Sequence, residues 1–171
     1  MTKDEWNIGV IGKVIKDSEG GFVNDPDDRG GATNYGITMQ TLKEWRGNGT
    51  VTEQDVKDLS VDEARNIYYY LYVKRYKLDE LPDELAEIVF DSVINHGPRG
   101  GIRILQRAVG AKDDGVIGRE TVEKAKVNID KVYLRVVGER LKYYASIIKN
   151  QPSQVKFIAG WINRVLRFLD K

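Results

Sequence analysis

Apolar and polar positions along this chain follow mainly a helical period. Over residues 5–17, Trp6, Ile8, Ile11, Val14 and Ile15 fall roughly on one helical face, which predicts a first helix ending near Asp17 and Ser18. From Gly20 to Gly36 the period gives way to Gly, Pro, Asn and Asp, which predicts turns and a short hairpin. Thr38 is placed to cap a short helix carrying Leu42 and Trp45, and "RGNGT" then reads as a turn. Ser60 and Glu63 have the S-x-x-E spacing of a capping box and open a helix through "VDEARNIYYYLYVKRY". The next helix starts near Pro82, sets Leu85, Ile88, Val89 and Ser92 on one face, and ends at Gly97. Residues 99–109, 118–127, 130–149 and 153–169 read as further helices, separated by "AKDDGVIG" and by Pro152. No βαβ alternation and no internal repeat appear. The expected fold is mainly α, with one short irregular or β-hairpin segment after the first helix.

Composition narrows the picture. A chain of 171 residues is expected to form one compact domain, with at most a small subdomain. Its 27 Lys and Arg against 26 Asp and Glu leave a formal charge of +1, which gives no global attraction to nucleic acid, so no such partner is expected. The absence of cysteine excludes disulfides and thiolate metal sites. The N-terminal apolar runs are broken by Gly9, Gly12 and Lys13, so neither a signal peptide nor a membrane span fits. Synthesis in the cytoplasm is therefore expected, with some other route of release if the protein acts outside.

Several chemistries drop out. His96, the single histidine, has no partner at metal-ligand spacing and reads as a capping or packing residue. "DPDD" lacks the ligand spacing and terminal Glu of a calcium loop. Neither a G-x-S-x-G elbow nor a P-loop is present. No metal and no cofactor are expected.

What remains is Glu19 with Asp25, Asp27, Asp28 and Thr33. Glycoside cleavage needs a protonated acid beside the leaving oxygen and a second polar group, often a carboxylate, that holds water or stabilises a developing cation. Glu19 at a helix C-terminus lies at the negative end of the helix dipole, which raises a carboxyl pKa. Gly20 and Gly21 would let a sugar chain approach the backbone. On these features alone a solvated turn is the preferred reading.

The segment "EGGFVNDPDDRGGATNYGIT" resembles the opening motif of the glycoside hydrolase family 108 muramidases, lysozyme-like enzymes of phages and bacteria once called secretion activators. That motif runs E-G-G-[YF]-x-N-D-P-x-D-x-G-G-x-T-x-x-G-I, and every fixed position is matched. "FDSVINHGPRGGIRILQRAVGAKDDGVIGRETVEKA" is similar to the family's predicted peptidoglycan-binding region, with its F-D-x-x-x-N-x-G, L-Q and D-G-x-[IL]-G-x-x-T patterns. "FIAGWINRVLRFL" is similar to the F-x-x-G-W-x-x-R ending.

The resemblance implies a lysozyme-like fold and hydrolysis of the β-1,4 bond between N-acetylmuramic acid and N-acetylglucosamine. The glutamate of E-G-G maps onto Glu19, the implied general acid, whose proton must be held at working pH. Related phage lysozymes place a Glu, an Asp and a Thr in that order, the last two flanking the attacking water. Glu19, Asp28 and Thr33 follow the order, with the Asp-to-Thr interval one residue short; Asp27 restores that interval at the expense of the other. Inversion is the expected outcome, and Asp25 before Pro26 reads as a turn former.

Asn34, Tyr35 and the Asn95-His96-Gly97 end are expected to line the cleft, with a helix cap as the other reading of Asn95. Asp91 and Gln106 reach inward to the hairpin, the substrate or a structural brace, the brace being preferred. Of Tyr68, Tyr69, Tyr70, Tyr72 and Tyr76, at most two can face a groove. Phe157, Ile158, Trp161, Ile162, Val165, Leu166 and Leu169 cover one side of the last helix, with Lys156, Arg164, Arg167 and Lys171 elsewhere. A membrane-active helix is one reading, and a last core helix with a solvated basic face is preferred.

The expected organisation is a catalytic lobe at 1–80 and a helical peptidoglycan-binding region at 81–171. The expected protein is a monomeric muramidase acting on peptidoglycan glycan strands. A phage or prophage endolysin released by a holin or by lysis fits, as does a bacterial wall-remodelling enzyme. A noncatalytic peptidoglycan-binding or secretion-assisting protein and a chitinase- or chitosanase-type glycosidase are the alternatives.

Overall fold

The first helical run opens with a capping box: Thr2 accepts from the Glu5 amide at 3.3 Å, and the Glu5 carboxylate accepts from the Thr2 amide at 2.6 Å. The run comprises α1 (Lys3–Glu5), a π-helical turn (Trp6–Val10) and α2 (Ile11–Asp17). In that wider turn the Ile11 amide reaches back to the Trp6 carbonyl. The extra residue shifts the apolar register. Trp6, Val10, Ile11, Val14 and Ile15 are buried, whereas Ile8, expected on that face, is 74% exposed.

The computed structural model describes residues 1–17, 21–23, 31–47 and 49–169, and the chain divides into two units, Met1–Arg75 and Tyr76–Lys171. In the first unit, β1 (Thr33–Asn34) and β2 (Ile37–Thr38) form an antiparallel hairpin pairing Thr33 with Thr38 and Asn34 with Ile37. Its two turn residues, Tyr35 and Gly36, both have positive φ, 52° and 77°, as a tight two-residue hairpin turn demands. Thr38 doubles as the N-cap of α3 (Met39–Trp45), accepting from the Thr41 amide.

A helix that the apolar period does not reveal follows, α4 (Glu53–Lys57), opened by a Thr52–Asp55 capping box. Ser60 caps α5 (Val61–Tyr68) by accepting from the Glu63 amide, but only that half of the expected box forms. The Glu63 carboxylate instead receives Nε and Nη2 of Arg46, each at 3.2 Å. A second π turn, Tyr69–Lys74, continues α5. Tyr68 is buried, while Tyr70 is 45% exposed and stacks on Trp45 at 6.0 Å between centroids.

The second unit begins with a 3₁₀ turn (Leu78–Glu80) and the long α6 (Asp83–Val109). Leu85, Ile88, Val89 and Ser92 form its buried face. At Gly97 the backbone leaves helical space (φ 71°, ψ 159°), which is the break that Gly97-Pro98 predicts. Gly101 then packs across the break, where a Cβ would stand 2.5 Å from the Val93 amide nitrogen. After α7 (Arg119–Ala125), α8 (Ile129–Asn150) packs along α6.

A 3₁₀ segment (Pro152–Phe157) leads into α9 (Ile158–Leu166). The last helix differs from the expected core helix with a basic outer face. Val165 and Phe168 are buried, but Ile162, Leu166 and Leu169 are exposed, and Arg164 turns inward to a buried carboxylate. Trp161 packs, stacking on Tyr144 at 4.9 Å.

Candidate functional site

Thr33 is held from both sides. Its amide donates to the Val23 carbonyl and its carbonyl accepts from the Val23 amide, both at 2.8 Å, while Thr38 pairs with it across the hairpin. Since Val23 uses both Thr33 backbone groups, the hydroxyl is the group left for chemistry. Asp25, Asp27 and Asp28 lie in sequence between the two residues of this bridge, and Glu19 precedes it. Those four carboxylates lie outside the described residues.

Asn34 is 5% exposed, and its Nδ2 donates to the carbonyls of Val56 and Lys57 at 3.0 Å each. These belong to the last turn of α4, whose carbonyls have no intrahelical partner, so the side chain ties hairpin to helix end. Tyr35 sits at the hairpin tip, partly buried, in the left-handed region that a tyrosine rarely adopts. Its carbonyl accepts from the buried Tyr68 hydroxyl at 3.1 Å. The strand order, the turn and both braces thus serve to hold Thr33 and Tyr35.

The second unit gathers the other residues singled out in the sequence. Asn95 is exposed, and its Nδ2 donates to the Asp91 carbonyl one turn back, at 2.8 Å. Gln106 is 1% exposed and gathers the downstream motif around it: Nε2 donates to Asp114 Oδ1 (2.9 Å), the Val116 carbonyl (3.0 Å) and Thr121 Oγ1 (3.4 Å), and Oε1 accepts from the Gly115 amide (2.8 Å). The L-Q and D-G-x-[IL]-G-x-x-T patterns are therefore one hydrogen-bonded unit. Asp114 is held below the usual carboxylate range by the Gln106 amide and the Val116 N–H.

Asp91 is the hub of a buried charge cluster. It accepts from Arg140 Nη2 at 2.6 Å and, in a forked pair, from Arg164 Nη2 at 2.6 Å and Nε at 3.0 Å. The F-D and W-x-x-R patterns meet here, pinning α6, α8 and α9 together. Arg140 is fully buried, lies over the Phe168 ring at 5.3 Å, and leaves Nε and Nη1 without a hydrogen-bond partner among the described residues. His96 packs between Tyr143 and Tyr144, with ring centroids at 4.7 and 5.1 Å. Burial first, and then the Arg140 cation, push its pKa down to about 4, against an opposing pull from Asp91. It is a neutral packing residue at pH 7.

The comparisons with known proteins agree with this picture. The family model described as Glycosyl hydrolase 108 matches residues 12–97, and one described as a predicted peptidoglycan domain matches residues 100–166. The solved structure of Brucella abortus SagA is similar over 96% of this chain and 92% of that one, at 34% identity and a TM-score of 0.81. No curated protein matches.

Proposed function

The chain belongs to the Glycosyl hydrolase 108 family, and from that premise we propose that it is an N-acetylmuramidase. A glycoside hydrolase acting on peptidoglycan follows from the family and from the peptidoglycan-binding region beside it. The finer reading is cleavage of the β-1,4 bond between N-acetylmuramic acid and N-acetylglucosamine. Glu19 donates the proton to the leaving oxygen, and Asp28 or Asp27, with Thr33, holds the attacking water.

The observation that carries this reading is the double anchoring of Thr33, between Val23 on one side and Thr38 on the other. A water-holding hydroxyl must be fixed to a fraction of an ångström to be useful, and a central strand position supplies that. The motif spacing leaves the acid upstream of the bridge and the aspartates within it. An inverting displacement fits, with water and leaving group on opposite faces of the ring. Lysis of a host cell as a phage or prophage endolysin, after release by a holin, belongs to the same proposal.

The test is release of reducing ends from purified peptidoglycan by the wild type and by Glu19→Gln, with the new ends identified and their anomeric form read by NMR. Muramic-acid ends of inverted configuration from the wild type, and none from a folded, bound variant, are the expected result. Equal cleavage by both would remove Glu19 from the acid role. Glucosamine ends would overturn the bond assignment, and retention the inverting mechanism. Binding without cleavage by the wild type would favour a noncatalytic role.

A further inference from the structure

Within the second unit, the end of α6 and the middle of α8 frame an open cavity of about 520 Å³. Arg107, Arg135 and Lys142 stand around it against one carboxylate, Glu139, and Leu134 forms an apolar wall that is 61% exposed. Glu139 organises the rim: it accepts from Arg107 Nε at 3.1 Å and from Lys142 Nζ at 2.8 Å. Arg107 is further steadied by Asp113, at 3.1 Å from Nη1. Arg135 makes no ion pair among the described residues.

Gly138 is the second observation. It lies in the interior of the 22-residue α8, where glycine is less stable than alanine because it orders more backbone. Packing does not demand it, since a Cβ at Gly138 would meet nothing within 4 Å. Its backbone is instead part of the cavity lining. The missing side chain leaves open space between three cations, which is what a ligand bearing several carboxylates needs.

Resting on the peptidoglycan reading above, we propose that this cavity binds the carboxylates of the peptide stems of peptidoglycan, so that the region grips the wall by peptide as well as sugar. The glycan, its lactyl carboxyls taken up in the amide links to the stems, offers neutral hydroxyl and acetamido groups, which aromatic rings and neutral donors recognise, and among the described residues no aromatic side chain lines this cavity. A stem peptide offers free carboxylates for the guanidinium forks and small methyl side chains for the Leu134 wall.

The experiment titrates the full-length protein with a free stem tetrapeptide, with a neutral N-acetylglucosamine tetramer that is expected not to bind this cavity and whose equal binding there would overturn the proposal, and with poly(glycerol phosphate). The protein is the wild type, Arg135→Glu, Lys142→Glu or Gly138→Leu, and binding is followed by calorimetry and amide NMR shifts. The expected result is saturable tetrapeptide binding that weakens with salt and falls about tenfold or more in the charge reversals, as loss of charge-assisted hydrogen bonds implies. Gly138→Leu is expected to keep or raise Tm while losing tetrapeptide binding, which a merely structural role would not produce. No saturable tetrapeptide binding, or variants that bind it like the wild type, would overturn the proposal; so would tighter binding of the phosphate polymer. Turnover of whole peptidoglycan by the same wild-type sample separates the two readings. Cleavage without stem binding sinks only this inference, and neither cleavage nor wall binding sinks the function it rests on.

Discussion

The hydroxyl of Tyr68 donates a 3.1 Å hydrogen bond to the carbonyl of Tyr35, 33 residues earlier, at the tip of the hairpin. A non-glycine residue in left-handed space costs about 1–2 kcal/mol, so the turn depends on such outside support. Tyr68→Phe is expected to lower stability by about 1 kcal/mol in urea titration, the usual worth of one hydrogen bond. Peptidoglycan turnover should fall further than stability does, because Thr33 is adjacent to the same turn. Unchanged turnover at reduced stability would dissociate the hairpin tip from the reaction.

The Asp91 cluster yields a graded pair of mutants. Asp91→Asn leaves the fully buried Arg140 without its counter-charge, a situation that costs about 3–5 kcal/mol. Arg164→Ala removes a partner whose side chain is 27% exposed and should cost less, roughly 1–3 kcal/mol. Chemical denaturation of both variants checks the order. The reverse order would mean that Arg140 is compensated by something other than Asp91.

His96 sets a pH dependence. Its folded pKa is depressed to about 4, from 6.5, by burial and by Arg140 and Arg164, with Asp91 pulling the other way and the Tyr143 and Tyr144 rings enclosing it. Below pH 6.5 the unfolded chain takes up a proton there and the folded chain does not, so stability falls as pH drops from 6.5 toward 4. Thermal melts of the wild type and His96→Gln across that window check it. The slope should flatten in the variant, while the losses below about pH 4.5 from paired carboxylates such as Glu120 and Asp114 remain.

Gln106→Leu should destabilise the second unit by about 2–3 kcal/mol, since it strips Asp114, the Gly115 amide and the Val116 carbonyl of one buried partner at once. Hydrogen exchange is expected to speed up first over 110–118. Loss of exchange protection confined to the first unit instead would contradict this assignment.

The parts of the fold legible in the sequence share a local cause. Thr38 and Ser60 announce helix starts because a cap bonds only three residues ahead, and Gly97-Pro98 announces a break because neither residue can continue a helix. α4 lacks an apolar period to reveal it, being a single turn, although its Thr52–Asp55 box was there to read. Ile8 leaves the face that helical spacing gives it because a π turn, which no spacing rule assumes, inserts a residue into the register. Glu19, Asp27 and Asp28 remain assignments of motif and spacing, while Asn34 and Gln106 acquire structural partners that spacing could not name.

From sequence alone came the helices other than α4, the hairpin, the family and the order of its carboxylates, because caps, breaks and motifs are encoded over a few neighbouring residues. Only the tertiary structure decided who meets whom. Arg164 reaches Asp91 across 73 residues, and Arg107 joins Glu139 across 32 at the rim of a cavity that no motif marks. An arginine has the same side chain whether it faces solvent or a buried carboxylate. What differs is the packing of helices that brings the carboxylate to it, and that is a property of the folded chain as a whole.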